Sequence, residues 1–89
     1  AGANLVNAEL AKANLSWANL AGAALNEADL TDADLREARL NGAILENALP
    51  DGANLTSASL RGADLSGASL RDACLEGAWL DGVIGLSDK

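Results

Sequence analysis

The sequence lacks histidine, tyrosine and methionine, and it contains one cysteine and one proline among its 89 residues. Without histidine, the chain has neither the commonest general base nor the commonest nitrogen ligand for metals. The single cysteine, Cys74, excludes a disulfide within the chain. Catalysis would have to use carboxylates, hydroxyls or Cys74. We therefore predict that the protein is not an enzyme and has no catalytic, cofactor or metal site.

Long apolar runs and excess positive charge are also missing. No stretch approaches the roughly 20 consecutive apolar residues that a membrane helix needs, and the net charge is −7. A nucleic-acid-binding surface would require clustered lysine and arginine. Carboxylates are grouped at Glu27, Asp29, Asp32 and Asp34, which we interpret as a solvated acidic face. We therefore predict neither a nucleic-acid partner nor a membrane partner.

The sequence does have a strict five-residue repeat. Leucine falls on every fifth residue from Leu5 to Leu80, except at Pro50, and alanine stands two places before each of these positions. Five residues rotate an α-helix by about 500°, so the leucines would not share a helix face. In a continuous strand the odd spacing would send successive leucines to opposite faces. Short extended segments that alternate with corners avoid both problems, and they wind the chain into a solenoid with alanine and leucine inside.

A second period of 20 residues, or four repeats, sets the number of sides. Glycine recurs at this spacing in one corner position, and oppositely charged residues recur at the same spacing, as stacked segments would place them. We predict a four-sided coil from Gly2, Gly22, Gly42, Gly62 and Gly82 and from the pairs Lys12 with Asp32, Asp51 with Arg71, and Arg61 with Asp81.

Units such as 33–37 and 63–67, which read Ala-Asp-Leu-Arg-Glu and Ala-Asp-Leu-Ser-Gly, resemble the A-(D/N)-L-x-x consensus of pentapeptide-repeat proteins. The resemblance covers residues 1–84 and implies an all-β fold, a right-handed quadrilateral β-helix (solenoid) of about four coils of 20 residues each. Residues 85–89 are expected to form a C-terminal tail that leaves the repeat. The predicted structural core is Leu5, Leu10, Leu15, Leu20, Leu25, Leu30, Leu35, Leu40, Leu45, Leu55, Leu60, Leu65, Leu70, Leu75 and Leu80, with Ala28, Ala33 and Ala63.

Four side chains are candidates for an interface. Ile44 and Leu49 occupy outward positions on adjoining sides, and Trp17 and Trp79 lie near the fourth side. For Leu49, the alternative is that a local bulge or tight corner at Pro50 turns it partly inward, because proline cannot donate a backbone hydrogen bond. The tryptophans either anchor a partner or pack against the column.

The leading functional hypothesis is a non-catalytic scaffold or protein-interaction module, which binds a protein partner or associates with itself through the coil ends. The family resemblance adds a DNA-mimicking, gyrase-binding protein as the alternative, and an accessory domain of an enzyme as a distant third. We expect the chain to be part of a longer protein, or its ends to be covered by another copy, because end coils expose inward leucines. A cytoplasmic location is favoured, with a thylakoid lumen or plastid location as the alternative that the family implies.

Overall fold

A computed structural model describes residues 2–85, which are held together by parallel β-bridges between residues 20 apart. Asn4 pairs with Ala24, Ala24 with Ile44, and Ile44 with Asp64. The bridges are isolated, so this range contains no continuous strand, and it contains no helix. The part of the chain that the structure describes accordingly has no helix that could cross a bilayer. The spacing of the bridges is the 20-residue period of the corner glycines.

Backbone hydrogen bonds join each 20-residue coil to the next. The leucine N–H donates to the carbonyl 19 residues ahead, as Leu25 does to Ile44 at 2.7 Å. The outward residue before the leucine donates 21 residues back, as Ile44 does to Ala23 at 2.9 Å. A corner N–H adds a third bond, from Glu27 to Glu46 at 3.0 Å. Each repeat is therefore stabilised chiefly by the repeats stacked above and below it.

The corners are four-residue turns with an unusual backbone conformation. Each turn is closed by a bond from the alanine N–H to the preceding leucine carbonyl, 3.0 Å long from Ala28 to Leu25. The second central residue of the turn has a positive φ, as in type II turns. Between residues 2 and 85, nine non-glycine residues adopt this conformation, with φ from 57° to 66°. Because left-handed backbone costs a non-glycine residue roughly 1–2 kcal/mol, stacking must stabilise these corners.

Four turns separate each residue from its bridged partner, so the coil has four sides. The residue before each leucine points outward, and these outward residues form one column on each side. The first side carries Asn4, Ala24, Ile44, Asp64 and Ile84, the second Glu9, Asp29, Leu49 and Ser69, the third Asn14, Asp34, Asn54 and Cys74, and the fourth Asn19, Arg39, Ser59 and Trp79.

The interior is filled by the leucine and alanine columns. Leu30 and Ala28 have no exposed surface, and within residues 2–85 no polar residue is buried. Burial decreases toward both ends of this range. The buried leucines and alanines are Leu20, Ala23, Leu25, Ala28, Leu30, Ala33, Leu35, Ala38, Leu40, Ala43, Leu45, Ala48, Ala53, Leu55, Ala58, Leu60, Ala63 and Leu65, and those partly buried against them include Leu5, Leu10, Leu15, Leu70, Leu75 and Leu80.

Pro50 takes a leucine position without changing the course of the chain. It is buried, and the next turn is closed in the usual way by a 3.0 Å bond from the Ala53 N–H to the Pro50 carbonyl. The sequence predicted a local bulge or a tight corner at Pro50. The structure has an ordinary corner there and no bulge. Leu49 stays outward and 46% exposed, so the interpretation that it turns inward to compensate for Pro50 is wrong.

The proline does remove one hydrogen bond between coils. At the neighbouring leucine positions, Leu45 and Leu55 donate to the following coil at 2.7 Å, but Pro50 has no N–H for the Ser69 carbonyl. The nearby bond from the Ser69 N–H to the Ala48 carbonyl is stretched to 3.3 Å. An interior apolar cavity of about 10 Å³ lies beside Pro50, and its other lining residues are Leu30, Leu35, Leu40, Leu45, Leu55, Leu60, Leu65 and Leu70.

The predicted C-terminal tail falls almost entirely outside the described residues. Gly85 lies inside them and forms a bend, whereas 86–89 lie beyond them.

Candidate functional site

An asparagine or aspartate at the outward position before a leucine braces the turn that follows it. Asp29 shows how: its Oδ1 accepts the backbone N–H of Thr31 at 3.1 Å and the Thr31 hydroxyl at 2.6 Å. An asparagine or aspartate that accepts a hydrogen bond from two residues ahead stabilises a turn. All seven such residues at outward positions make this brace: Asn4, Asn14, Asn19, Asp29, Asp34, Asn54 and Asp64.

Ile44 and Leu49 occupy the same outward position but cannot make the brace. Ile44 is 39% exposed and Leu49 is 46% exposed, so neither side chain belongs to the core. Ala24, which is bridged to Ile44, lacks a bracing group as well. Because these residues stabilise neither the interior nor their turns, they are candidates for contact with another molecule.

Half of the column surface carries carboxylates and no basic residue. It comprises the first side, the second side and the corner between them, formed by 3–10, 23–30, 43–50 and 63–70, and we call it the acidic face. The five basic residues between 2 and 85 all lie elsewhere, at Lys12, Arg36, Arg39, Arg61 and Arg71. The acidic face carries Glu9, Glu27, Asp29, Glu46 and Asp64, and these carboxylates surround Ile44 and Leu49.

Local hydrogen bonds keep several of the carboxylates ionised. The Thr31 hydroxyl lowers the pKa of Asp29, and the Ser66 hydroxyl lowers the pKa of Asp64. On the third side, the hydrogen bond and ion pair with Arg36 at 2.7 Å lower the pKa of Asp34 to about 2. These three carboxylates are therefore negatively charged at neutral pH.

The carboxylates that are grouped in the sequence are spread around the column in this structure. Glu27, Asp29, Asp32 and Asp34 follow one another around the second coil, and Asp29 and Asp34 are bonded to their own turns. Among the described residues, no cluster of three or more potential ligands could hold a metal ion.

Trp79 packs against a basic side chain on the fourth side. The Arg61 guanidinium lies 4.6 Å from the centre of its ring, in the range of a cation–π contact. Asp81, two residues after Trp79, contacts the same guanidinium with a 3.7 Å salt bridge. Trp79 remains 52% exposed, so it both packs on the column and offers surface.

Trp17 lies at the corner between the third and fourth sides and is 72% exposed. Within residues 2–85 no cation lies over its ring. The four candidate interface residues therefore do not form one surface: Ile44 and Leu49 lie on the acidic face, whereas Trp17 and Trp79 lie on the opposite half.

Only one of the three charge pairs predicted from the 20-residue spacing is a salt bridge in the described part of the chain, that between Arg61 and Asp81. Lys12 and Asp32 are not paired, because the Asp32 carboxylate leans the other way, over the open surface of Gly52. Asp51 and Arg71 also form no salt bridge, and Asp51 Oδ1 is enclosed without a partner.

Two features of the surface were not predicted from the sequence. The turn braces were visible as asparagine or aspartate at outward positions, often followed two residues later by serine or threonine. The second feature is Cys74, whose Sγ lies 3.3 Å from the Thr56 hydroxyl in the neighbouring coil. This hydroxyl lowers the pKa of the Cys74 thiol.

Comparison with known proteins adds a family to this geometry. A family model of pentapeptide repeats matches residues 1–23, 13–49 and 51–84, with eight copies. The crystal structure of alr5209, a pentapeptide-repeat protein from Nostoc Pcc 7120, is 45% identical, with a TM-score of 0.83 over 84% of this chain and 62% of that one. Rfr23, a pentapeptide-repeat protein from the cyanobacterium Cyanothece 51142, is 42% identical, with a TM-score of 0.53 over 93% of this chain and 60% of that one.

A more distant structure shares the fold. QnrB1, a plasmid-mediated fluoroquinolone resistance protein, is 24% identical, with a TM-score of 0.64 over 79% of this chain and 42% of that one. No curated protein sequence matches the chain. The chain spans about three fifths of the length of alr5209 and of Rfr23. The repeat match extends over nearly the whole sequence, and the chain therefore belongs to the pentapeptide-repeat family.

Proposed function

We propose that this chain is a non-catalytic scaffold or protein-interaction module, built as a right-handed quadrilateral β-helix of about four coils. The observation that supports this best is the position of Ile44 and Leu49. Both are exposed on a face that carries five carboxylates and no basic residue, and neither contributes to the core or to a turn. Exposed apolar side chains framed by polar residues are typical of protein-interaction sites.

The state of the carboxylates supports recognition over acid–base catalysis. A general base or acid works best with a pKa near the operating pH. Hydrogen bonds instead lower the pKa values of Asp29, Asp34 and Asp64. Permanently charged groups fixed to rigid turns suit a surface that recognises a partner by charge and shape.

The proposed partner is another protein or a second copy of the chain stacked on an end coil. End stacking would cover the half-buried leucines of the outer coils, such as Leu10 and Leu75. Sedimentation equilibrium over a range of concentrations tests this route, and a monomer at every concentration would leave a different protein as the partner.

The experiment that tests the module is capture from an extract of the cells that produce the protein, followed by titration of each captured protein in pure form. We expect saturable binding of at least one protein to the folded chain. The control is Leu30→Asp, which differs from the parent at one residue but should be unfolded, and which therefore reports adsorption to unfolded protein. Saturable turnover of a metabolite by the purified chain, with no protein bound, would contradict the proposal.

The alternative is a DNA-mimicking protein that binds DNA gyrase. The five carboxylates of the acidic face favour it. Ile44 and Leu49 interrupt those carboxylates, and Arg39 and Arg61 lie on the fourth side, which makes the charge pattern unlike that of a phosphate backbone. A gyrase supercoiling assay decides the matter: inhibition at sub-micromolar protein would establish the alternative, and uninhibited supercoiling would remove it.

A further inference from the structure

We propose that the acidic face binds a basic amphipathic helix of a partner protein, with Ile44, Asp64 and Ile84 of the first side as the central contacts. This inference rests on the proposed function, and it names the chemistry of the partner. Two observations support it: the order of side chains along the first side, and the charge of the residues around that column.

The first side alternates apolar and acidic residues along the stacking direction. Ile44 is bridged to Asp64, and Asp64 is bridged to Ile84, so the order is apolar, acidic, apolar. Neighbouring segments of a sheet lie about 4.8 Å apart, which separates Ile44 from Ile84 by about 10 Å. In an α-helix, residues i and i+7 lie on the same face about 10.5 Å apart, and residues i+3 and i+4 lie between these two. A helix with leucine, lysine and leucine at these positions matches the column.

The apolar contacts on this surface are exposed and rigidly placed. Ile44 and Ile84 are 39% and 56% exposed, and Leu49 flanks them on the second side. The bridges fix the backbone beneath the two isoleucines. A partner that covers these side chains gains apolar burial with little loss of conformational freedom in the module.

Asp64 is well prepared to accept a lysine. Its Oδ1 accepts both the backbone N–H and the hydroxyl of Ser66, at 2.9 Å and 2.6 Å. These bonds hold the carboxylate in place and leave Oδ2 for a partner. They also lower the pKa of Asp64, so the carboxylate stays charged at neutral pH.

The surrounding charge selects a cationic partner. Glu9, Glu27, Asp29 and Glu46 add four carboxylates to Asp64, and no basic residue lies on this face. Nucleic acids and the surfaces of anionic membranes are repelled by such a surface. A helix with lysines and arginines on either side of a leucine stripe is attracted to it, and helices of this kind commonly dock by their apolar face.

The test uses two synthetic peptides of about 14 residues, four helical turns, made of the same leucines and lysines. One is amphipathic: it repeats leucine every seven residues with lysine three or four positions along, so that leucine, lysine and leucine follow one another on one face. The other has the same composition in scrambled order. Both carry the same charge, so a difference in affinity measured by titration calorimetry reports the apolar pattern. We expect the amphipathic peptide to bind at least about tenfold tighter than the scrambled one, equivalent to about 1.4 kcal/mol.

Four substitutions locate the site. Ile44→Asn gives the first side an outward residue of the kind found at Asn54, and Asp64→Asn keeps the turn brace but removes the charge. We expect each to weaken binding of the amphipathic peptide several-fold, with the loss at Asp64 diminishing as salt is raised. The controls lie on the opposite half of the column: Ser59→Asn places asparagine at another outward position, and Glu37→Gln likewise converts a carboxylate to an amide. Both should leave the affinity unchanged.

Equal affinity for the two peptides would overturn the inference, and so would a loss of affinity in Ser59→Asn as large as that in Ile44→Asn. Binding of the unaltered chain to anionic lipid vesicles or to duplex DNA would also overturn it. A failure of this inference can be distinguished from a failure of the proposed function. If proteins captured from an extract bind Ile44→Asn and Asp64→Asn as tightly as the parent, the module stands and its helix-binding face does not.

Discussion

Pro50 is the position at which the structure gives the clearest expectation for a change in stability. Leucine occupies the equivalent place in every other repeat from Leu5 to Leu80. In Pro50→Leu, a restored N–H can donate to the Ser69 carbonyl, which contributes about 1 kcal/mol. One further buried carbon fills part of the 10 Å³ cavity and adds about 0.8 kcal/mol. Loss of the proline frees the unfolded chain and costs about 0.4–1 kcal/mol. The sum is a stabilisation of about 1 kcal/mol.

Thermal and urea unfolding followed by circular dichroism measure this difference. For a domain of this size, 1 kcal/mol raises Tm by about 4–8 °C. Pro50→Ala is the matched variant, because it restores the N–H but removes buried carbon and widens the cavity. It should be less stable than the parent by about 1–2 kcal/mol.

Hydrogen exchange separates the two contributions. In both Pro50→Leu and Pro50→Ala, the new amide at position 50 should be protected, and the Ser69 amide should exchange more slowly than in the parent as its 3.3 Å bond shortens. If Pro50→Leu were no more stable than the parent and its new amide exchanged freely, the description of Pro50 as an unfilled leucine position would be refuted.

Three further predictions concern the core, one ion pair and the corners. Leu30→Asp should abolish the cooperative melt seen by circular dichroism, because Leu30 has no exposed surface and an unpaired charge there is strongly destabilising; a melt near the parent temperature would contradict the inward assignment. Asp34 should titrate by NMR with a pKa of about 2. Because this folded pKa lies below the unfolded one, the contribution of Asp34 to stability is present above about pH 4 and is lost as pH falls toward 2. Arg36→Gln should move the pKa of Asp34 upward. Gly42→Ala should cost about 1 kcal/mol in urea unfolding, because φ is 66° at Gly42 and no atom lies near the new Cβ; Gly42→Asn should cost less, and equal stabilities would argue against backbone strain as the cause.

The sequence predicted the interior well because the interior leaves few alternatives. A five-residue spacing of leucine is incompatible with a continuous helix or strand, and the 20-residue period of the glycines is the spacing of the bridges in the structure. Surface contacts were predicted less well. Lys12 and Asp32 occupy one column, yet Asp32 leans toward Gly52, since a corner side chain can point to the coil on either side. Spacing places residues in columns, but rotamers decide which neighbour they contact.

The candidate site was only partly visible for a related reason. Ile44 and Leu49 were recognisable as apolar residues at outward positions, but the role of that position in bracing turns was not recognised. Because that role was not recognised, Leu49 could be interpreted as an adjustment to Pro50. The structure shows that the outward column has a stabilising task of its own, which Asn54 performs with a 3.1 Å bond to the Thr56 N–H. An apolar residue in this column therefore forgoes a hydrogen bond.

Ile44, Leu49 and Pro50 lie in neighbouring repeats and lower stability in two ways. The first two forgo turn braces, each worth about 0.5–1.5 kcal/mol as a hydrogen bond, and Pro50 lies beside a cavity and leaves a carbonyl unpaired. If stability alone determined these positions, asparagine, asparagine and leucine would be the better choices. The triple variant with those residues should therefore melt at a higher temperature than the parent and should no longer prefer the amphipathic peptide to the scrambled one. A triple variant that is more stable and still prefers the amphipathic peptide would show that the departures do not serve binding.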